Sequence, residues 1–178
     1  WRLHDAGFSV IPVTGRSCGW CDLIAREWPV KAVVGENGAV VYYLDESDHL
    51  QVFTHPSVAS PDVHDKLAAV KEACLRGARA KVSSIHVNAW FGDYDKLSMT
   101  ELFLREVLGE TDFLHSVLFF GDSPNDEPMF AHFPVTCGVA NIRPFADRMA
   151  HLPAYVAPLE GGQGFAAAID AFLRIREG

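Results

Sequence analysis

Val117-Leu118-Phe119-Phe120-Gly121-Asp122-Ser123-Pro124-Asn125-Asp126 decides the fold of this chain. Four apolar residues read as a buried strand, and a turn that begins at Gly121 follows at once. Two carboxylates and an amide then fall within five residues of the strand's end. That crowding puts several hard oxygen donors in one small volume, which suits Mg²⁺; an Asx-rich turn capping the next helix is the alternative. In a parallel sheet ligands bind at the carboxyl ends of strands, so the placement matters as much as the residues.

Working outward, the strand-then-helix rhythm continues on both sides. Downstream come a short helix at about Asp126 to Phe133, a strand at Thr136 to Ala140, a helix initiated by Pro144, a short strand near Ala154 to Val156, and a last helix from Phe165 to Arg176. Upstream, Ser98-Met99-Thr100-Glu101 has the form of a capping box opening a helix with Leu97, Leu104 and Leu108 on one face, closed at Gly109. Near the start, Trp1 to Gly7 reads as a final helical turn and Phe8 to Val13 as a buried strand. Ser17 is the expected cap of a helix burying Trp20, Cys21, Ile24 and Trp28 and stopped by Pro29. Lys31 to Gly35 reads as a second buried strand. Strand, helix and strand with short links point to an α/β fold with a parallel sheet.

The middle differs. Ala39 to Tyr43 and Leu50 to Thr54 read as a hairpin, Pro56 to Pro61 as a loop, Val63, Leu67, Val70 and Cys74 as one face of a helix, and Ala80 to Phe91 as a strand exposed on one side. In that strand Ser84, His86 and Asn88 share a face, fit either for a substrate's hydroxyls or for water.

Two further groups stand beside helix starts. Thr14-Gly15-Arg16 offers a hydroxyl and backbone N–H groups to an anion, although a plain turn has the same residues. Lys96, ahead of the Ser98 box, offers a point charge. Cys18-Gly19-Trp20-Cys21 is a competing signal: a Cys pair at a helix start reads either as a thioredoxin-like redox motif or as one core and one partly exposed cysteine.

Taken in order, Val-Thr-Gly-Arg ending at Arg16, Gly-Glu-Asn-Gly from Gly35, Lys96 before a helix, Gly-Asp-Ser-Pro-Asn-Asp from Gly121, and Gly-Val-Ala-Asn from Gly138 to Asn141 resemble the haloacid dehalogenase superfamily. The resemblance is to its subfamily IIB, whose members carry a C2B cap and include Cof-type and sugar-phosphate phosphatases. It implies a Rossmann-like core at 1–38 and 96–178, with a small α+β cap at 39–95 that is short for its type. It also implies a Mg²⁺-dependent phosphatase acting through an aspartyl-phosphate, with a phosphomutase as the near alternative. Thr14 then binds a phosphoryl oxygen with Gly15 and Arg16 beside it, Lys96 neutralises the phosphoryl group, and Asp122 holds the metal with Asp126 and Asn125 in support. Glu36, Asn37 and Asn141 fall on recurrent polar positions, Asn37 among the substrate-binding ones. The family's Asp-x-Asp-x-Thr motif has no match before Thr14, so the first strand and its nucleophile are expected in a segment not contained in these 178 residues. A domain that binds sugar phosphate without catalysis is the non-enzymatic alternative.

The bulk properties narrow the partners. A net charge of −8 with no Lys/Arg cluster argues against nucleic acid. No apolar run approaches the roughly 20 residues that span a bilayer. Four scattered cysteines make no disulfide framework, so the expected setting is cytoplasmic and the expected partner a small phosphorylated molecule. The oligomeric state is left open.

Overall fold

The computed structural model describes residues 1–59, 79–82, 87–90 and 92–177. They divide into two compact units, Trp1–Ala80 with Ala89–Thr111, and Lys81–Asn88 with Asp112–Gly178.

The first unit opens with α1 (Arg2–Asp5), released at Gly7 with φ +82°. The segment expected as a buried strand at 8–13 is an extended run joined to the sheet by one parallel bridge, Val13 to Val34. Lys31 N–H donates to Val10 O, Val34 N–H to Pro12 O, and Thr14 N–H to Val34 O, each at 2.8 Å. Pro12 has no N–H to return, which interrupts the ladder, and the run is half-buried rather than buried.

Next come α2 (Cys18–Glu27), β1 (Val33–Gly35), β2 (Val40–Leu44) and β3 (Leu50–Thr54), with sheet order β1-β2-β3 and both pairings antiparallel. The expected hairpin is therefore present, and it extends the sheet that β1 begins. Successive residues of β1 point to opposite faces. Val33 packs with Cys21 and Ala25 of α2, while Val34 packs with Ala32, Val41, Met99 and Phe103. A helix thus covers each face of this sheet.

Two side chains on α2 depart from expectation. Trp20 and Trp28 are about half exposed, and the helix buries Cys21 and Ala25 instead. A Cβ on Gly35 would lie 2.5 Å from Cys21 Sγ, so helix and strand are too close for anything but small side chains. The indoles are displaced to the flanks.

The second covering helix, α3 (Lys96–Glu106), starts two residues before Ser98. Asp95 is its N-cap: the carboxylate accepts from Ser98 N–H at 2.8 Å, and Ser98 Oγ accepts from Asp95 N–H at 2.9 Å. Asp95-x-x-Ser98 outcompetes the expected Ser98-x-x-Glu101 box because aspartate is among the strongest N-caps and its partner reciprocates. Met99 and Phe103, one turn apart, carry the burial, with Leu104 beside them and Leu97 and Leu108 only half-buried. The Phe103 ring meets Tyr43 edge-on at 5.4 Å.

The stretch expected as one strand at 80–91 contains two, β4 (Arg79–Val82) and β5 (Val87–Trp90), which form a two-stranded sheet of their own. The amphipathic helix read from Val63 to Cys74 lies outside the described residues.

In the second unit α4 (Phe113–Ser116) leads to β6 (Leu118–Gly121), a 3-10 turn at Pro124–Asp126, α5 (Glu127–His132), β7 (Val135–Gly138), β8 (Tyr155–Val156) and α6 (Gly161–Glu177). Here the sheet is parallel throughout, in the order β6-β7-β8. The helix expected to begin at Pro144 is a 3-10 stretch from Ala140 to Arg148 with Pro144 inside it. Phe113, Phe119, Phe130 and Phe133 form the aromatic centre of this unit, with Phe119 and Phe130 edge-on at 5.5 Å. The parallel α/β architecture read from the sequence is present.

Candidate active site

Three segments distant in sequence meet in the first unit. Thr14 ends the run beside β1, and its Oγ1 accepts from Arg16 N–H at 3.2 Å, so the hydroxyl shapes the Thr14-Gly15-Arg16 turn. This turn is stitched to residues 36–38: Asn37 N–H donates to Thr14 O and Glu36 N–H to Arg16 O, both at 3.1 Å. Gly15 abuts the Asn37 amide, whose Oδ1 would lie 2.9 Å from an added Cβ. Glu36, Asn37 and Gly38 take φ of 49°, 57° and 104° in succession. The left-handed region costs a non-glycine residue about 1 kcal/mol or more, and such strain clusters at functional sites. On its far side Gly38 meets α3, where an added Cβ would fall 2.1 Å from Asp95 O and 3.1 Å from Lys96 N. Thr14 and Lys96 are thus tied to opposite sides of one strained turn.

Lys96 is the first residue of α3 rather than a residue ahead of it, so its backbone is fixed by the Asp95 cap. Its carbonyl accepts from the buried Thr100 Oγ1 at 2.7 Å.

Glu36 does work that sequence reasoning missed. Ser17 makes no capping bond; Glu36 Oε1 takes that place by accepting from Cys18 N–H at 3.1 Å. The partners are 18 residues apart, so no local pattern could have announced it. Arg16 lies over the exposed Trp20 ring, with Cζ 5.6 Å from its centroid, a cation–π arrangement.

In the second unit Gly121 to Asp126 follows β6, as the motif requires. Asp126 is buried, and its Oδ2 accepts from Asp122 N–H at 3.0 Å and Ser123 N–H at 3.4 Å. Ser123 Oγ donates to Asn125 Oδ1, both residues being buried. Gly121 is required by crowding: a Cβ would lie 2.6 Å from Phe130 Cζ and 2.8 Å from Asp126 Oδ2. One acid therefore shapes the loop, while Asp122 is half-buried at the strand's end. Asn141 Oδ1 accepts from Gly161 N–H at 2.6 Å at the start of α6.

Among the described residues no three His, Cys, Asp or Glu side chains are grouped to hold a metal. Mg²⁺ is commonly held by one or two protein carboxylates, with water and substrate phosphate filling the remaining positions. Asp122, with the Asp126 carboxyl behind it, fits that manner of binding. Of the expected specificity residues, Ser84 and His86 lie outside the described residues and Asn88 falls in β5.

Of the cysteine pair, Cys21 is buried and Cys18 half-buried, the arrangement expected of one core and one partly exposed cysteine. Cys21 is fully buried beneath Gly35, and burial, with lesser contributions from Cys18 and Glu36, pushes its thiol up to about 11.

No family profile matches the chain, and no curated protein does so. Solved structures do. The HAD subclass IIB sugar phosphatase BT4131 aligns over 96% of this chain and 88% of its own, with TM-score 0.60 and 12% identity. A HAD/COF-like hydrolase from Plasmodium vivax aligns over 92% and 83%, with TM-score 0.64 and 15% identity. BT1666 from Bacteroides thetaiotaomicron, described among phosphatases of the same superfamily, aligns over 96% and 84%, with TM-score 0.61 and 15% identity. At such identities the likeness speaks for the fold, and the fold is that of the haloacid dehalogenase superfamily. Its subclass IIB and Cof-like members are among the structures that share it.

Proposed function

We propose that this chain works as a Mg²⁺-dependent phosphatase that hydrolyses small phosphomonoesters, sugar phosphates being the favoured class. The observation that supports the reading is the convergence of residues 14–16, 36–38 and 95–96 on one strained turn, which brings the segment carrying the Thr14 hydroxyl and the helix start carrying Lys96 to the same few residues. In this reading Thr14 Oγ1 and the N–H groups beside it hold phosphoryl oxygens, and Lys96 Nζ neutralises them. Asp122 supplies a carboxylate to the metal, and Mg²⁺, when bound, stabilises charge on the transferring group.

The reaction takes two displacements. An aspartate carboxylate, of the kind the family's Asp-x-Asp motif supplies, attacks phosphorus as the P–O bond to the alcohol breaks, and the leaving oxygen takes a proton. Water then attacks the acyl-phosphate, releasing orthophosphate and the free carboxylate. Sugar phosphates are favoured because the sugar phosphatase BT4131 shares the fold over nearly the whole chain.

The test is phosphate release by protein expressed from its whole reading frame, against a panel of sugar phosphates with and without Mg²⁺. Metal-dependent release from at least one ester is expected; no release from any, with folded protein, ends the proposal.

A further inference from the structure

We infer that Asp95 is a positioning residue for Lys96: its carboxylate and carbonyl together fix the helix end from which the ammonium reaches the phosphoryl group. The inference rests on the role proposed above for Lys96.

A lysine side chain has four rotatable carbon links, so its ammonium can be aimed only if the backbone beneath it is still. First-turn residues of a helix lack intrahelical partners for their N–H groups and fray unless capped. Lys96 occupies the first helical position, where fraying is greatest. Asp95 opposes it twice. Its carboxylate and N–H form both halves of the box with Ser98, at 2.8 and 2.9 Å. Its carbonyl, which also accepts from Met99 N–H at 3.2 Å, is packed against Gly38, where not even a methyl group would fit. The same turn, through Asn37 N–H, holds Thr14 O at 3.1 Å. A chain of short contacts thus runs from the Thr14 backbone through 36–38 and Asp95 to the Lys96 backbone, setting their separation before any substrate arrives. Buried Met99 and Phe103 anchor the rest of the helix, so loss of the cap loosens its first turn and not its body.

The effect belongs in kcat, because misplacement of a charge by about 1 Å can cost up to a hundredfold in rate. With p-nitrophenyl phosphate and Mg²⁺, Asp95→Ala is expected to lower kcat by about tenfold or more. Asp95→Asn and Asp95→Ser, which keep the cap, should stay within about twofold of wild type. Leu108→Ala, just past the far end of α3, should lower Tm without changing kcat, which separates positioning from general destabilisation. If Asp95→Ala does not fold, Ser98→Ala removes the reciprocal half of the box, and a severalfold loss of kcat is expected. Wild-type kcat in whichever of these two variants folds, beside a Lys96→Ala variant that has lost turnover, overturns the inference and leaves the proposed function standing. A tenfold loss in Asp95→Asn also overturns it, because charge and not capping would then be at work. Full turnover in Lys96→Ala overturns the assignment of Lys96 itself.

Discussion

At the scale of single residues, the proposed chemistry concentrates in Thr14, Lys96 and Asp122. Asp122→Asn or Lys96→Ala should lower phosphatase turnover by orders of magnitude, and turnover within about twofold of wild type would sink the assignment. Cys21 makes a contrasting prediction. Its thiol, buried beneath Gly35, has its pKa moved from 9.0 to about 11. The folded state therefore favours the neutral thiol, so the stability it contributes is intact below pH 9 and declines as pH rises towards 11. Urea denaturation across that range should show the decline in wild type and a smaller one in Cys21→Ala. Iodoacetamide at pH 8 should leave Cys21 unmodified until the protein unfolds.

At the scale of elements, the turn at 36–38 holds three successive residues in the left-handed region. Gly38→Ala would put a methyl carbon 2.1 Å from Asp95 O at a φ of 104°. A loss of about 2–4 kcal/mol in urea denaturation is expected, with lost turnover in whatever remains folded. A second element titrates. His55 Nδ1 accepts from Ser57 N–H at 3.3 Å, which requires that nitrogen to be unprotonated, and burial holds the imidazole below its usual 6.5 despite the opposing charges of Asp95 and Asp93. The stability it contributes is present above pH 6.5 and lost as pH falls through the folded value. His55→Asn should flatten the acid limb of a stability–pH curve.

These elements also mark what the sequence disclosed. The motif order disclosed the parallel α/β sheet and the loop after β6, because glycine, acid and amide side chains at strand ends carry their geometry locally. It did not disclose the exposure of Trp20 and Trp28, which depends on how closely α2 approaches Gly35, a tertiary distance. The true start of α3 was legible in Asp95-x-x-Ser98, but Ser98-x-x-Glu101 presented the same signature three residues later. The Glu36 cap on Cys18 was not legible, since its partners are remote in sequence.

At the scale of the whole molecule, the chain's acidity and the small-ligand chemistry proposed for it point the same way. A net charge of −8 should keep the protein from retention on a DNA column at physiological salt, and retention there would contradict a small phosphorylated ester as partner. Chelation by EDTA should abolish phosphate release, and added Mg²⁺ should restore it. What chelation should leave alone follows from Asp126. Its Oδ2 already gathers the amides of Asp122 and Ser123, while Ser123 and Asn125 bond to each other within the same bend. The backbone beneath the carboxylate proposed for the cation is thus already bonded within the bend. Loading should then leave the backbone as it is, and circular dichroism of the stripped protein should overlay that of the charged one.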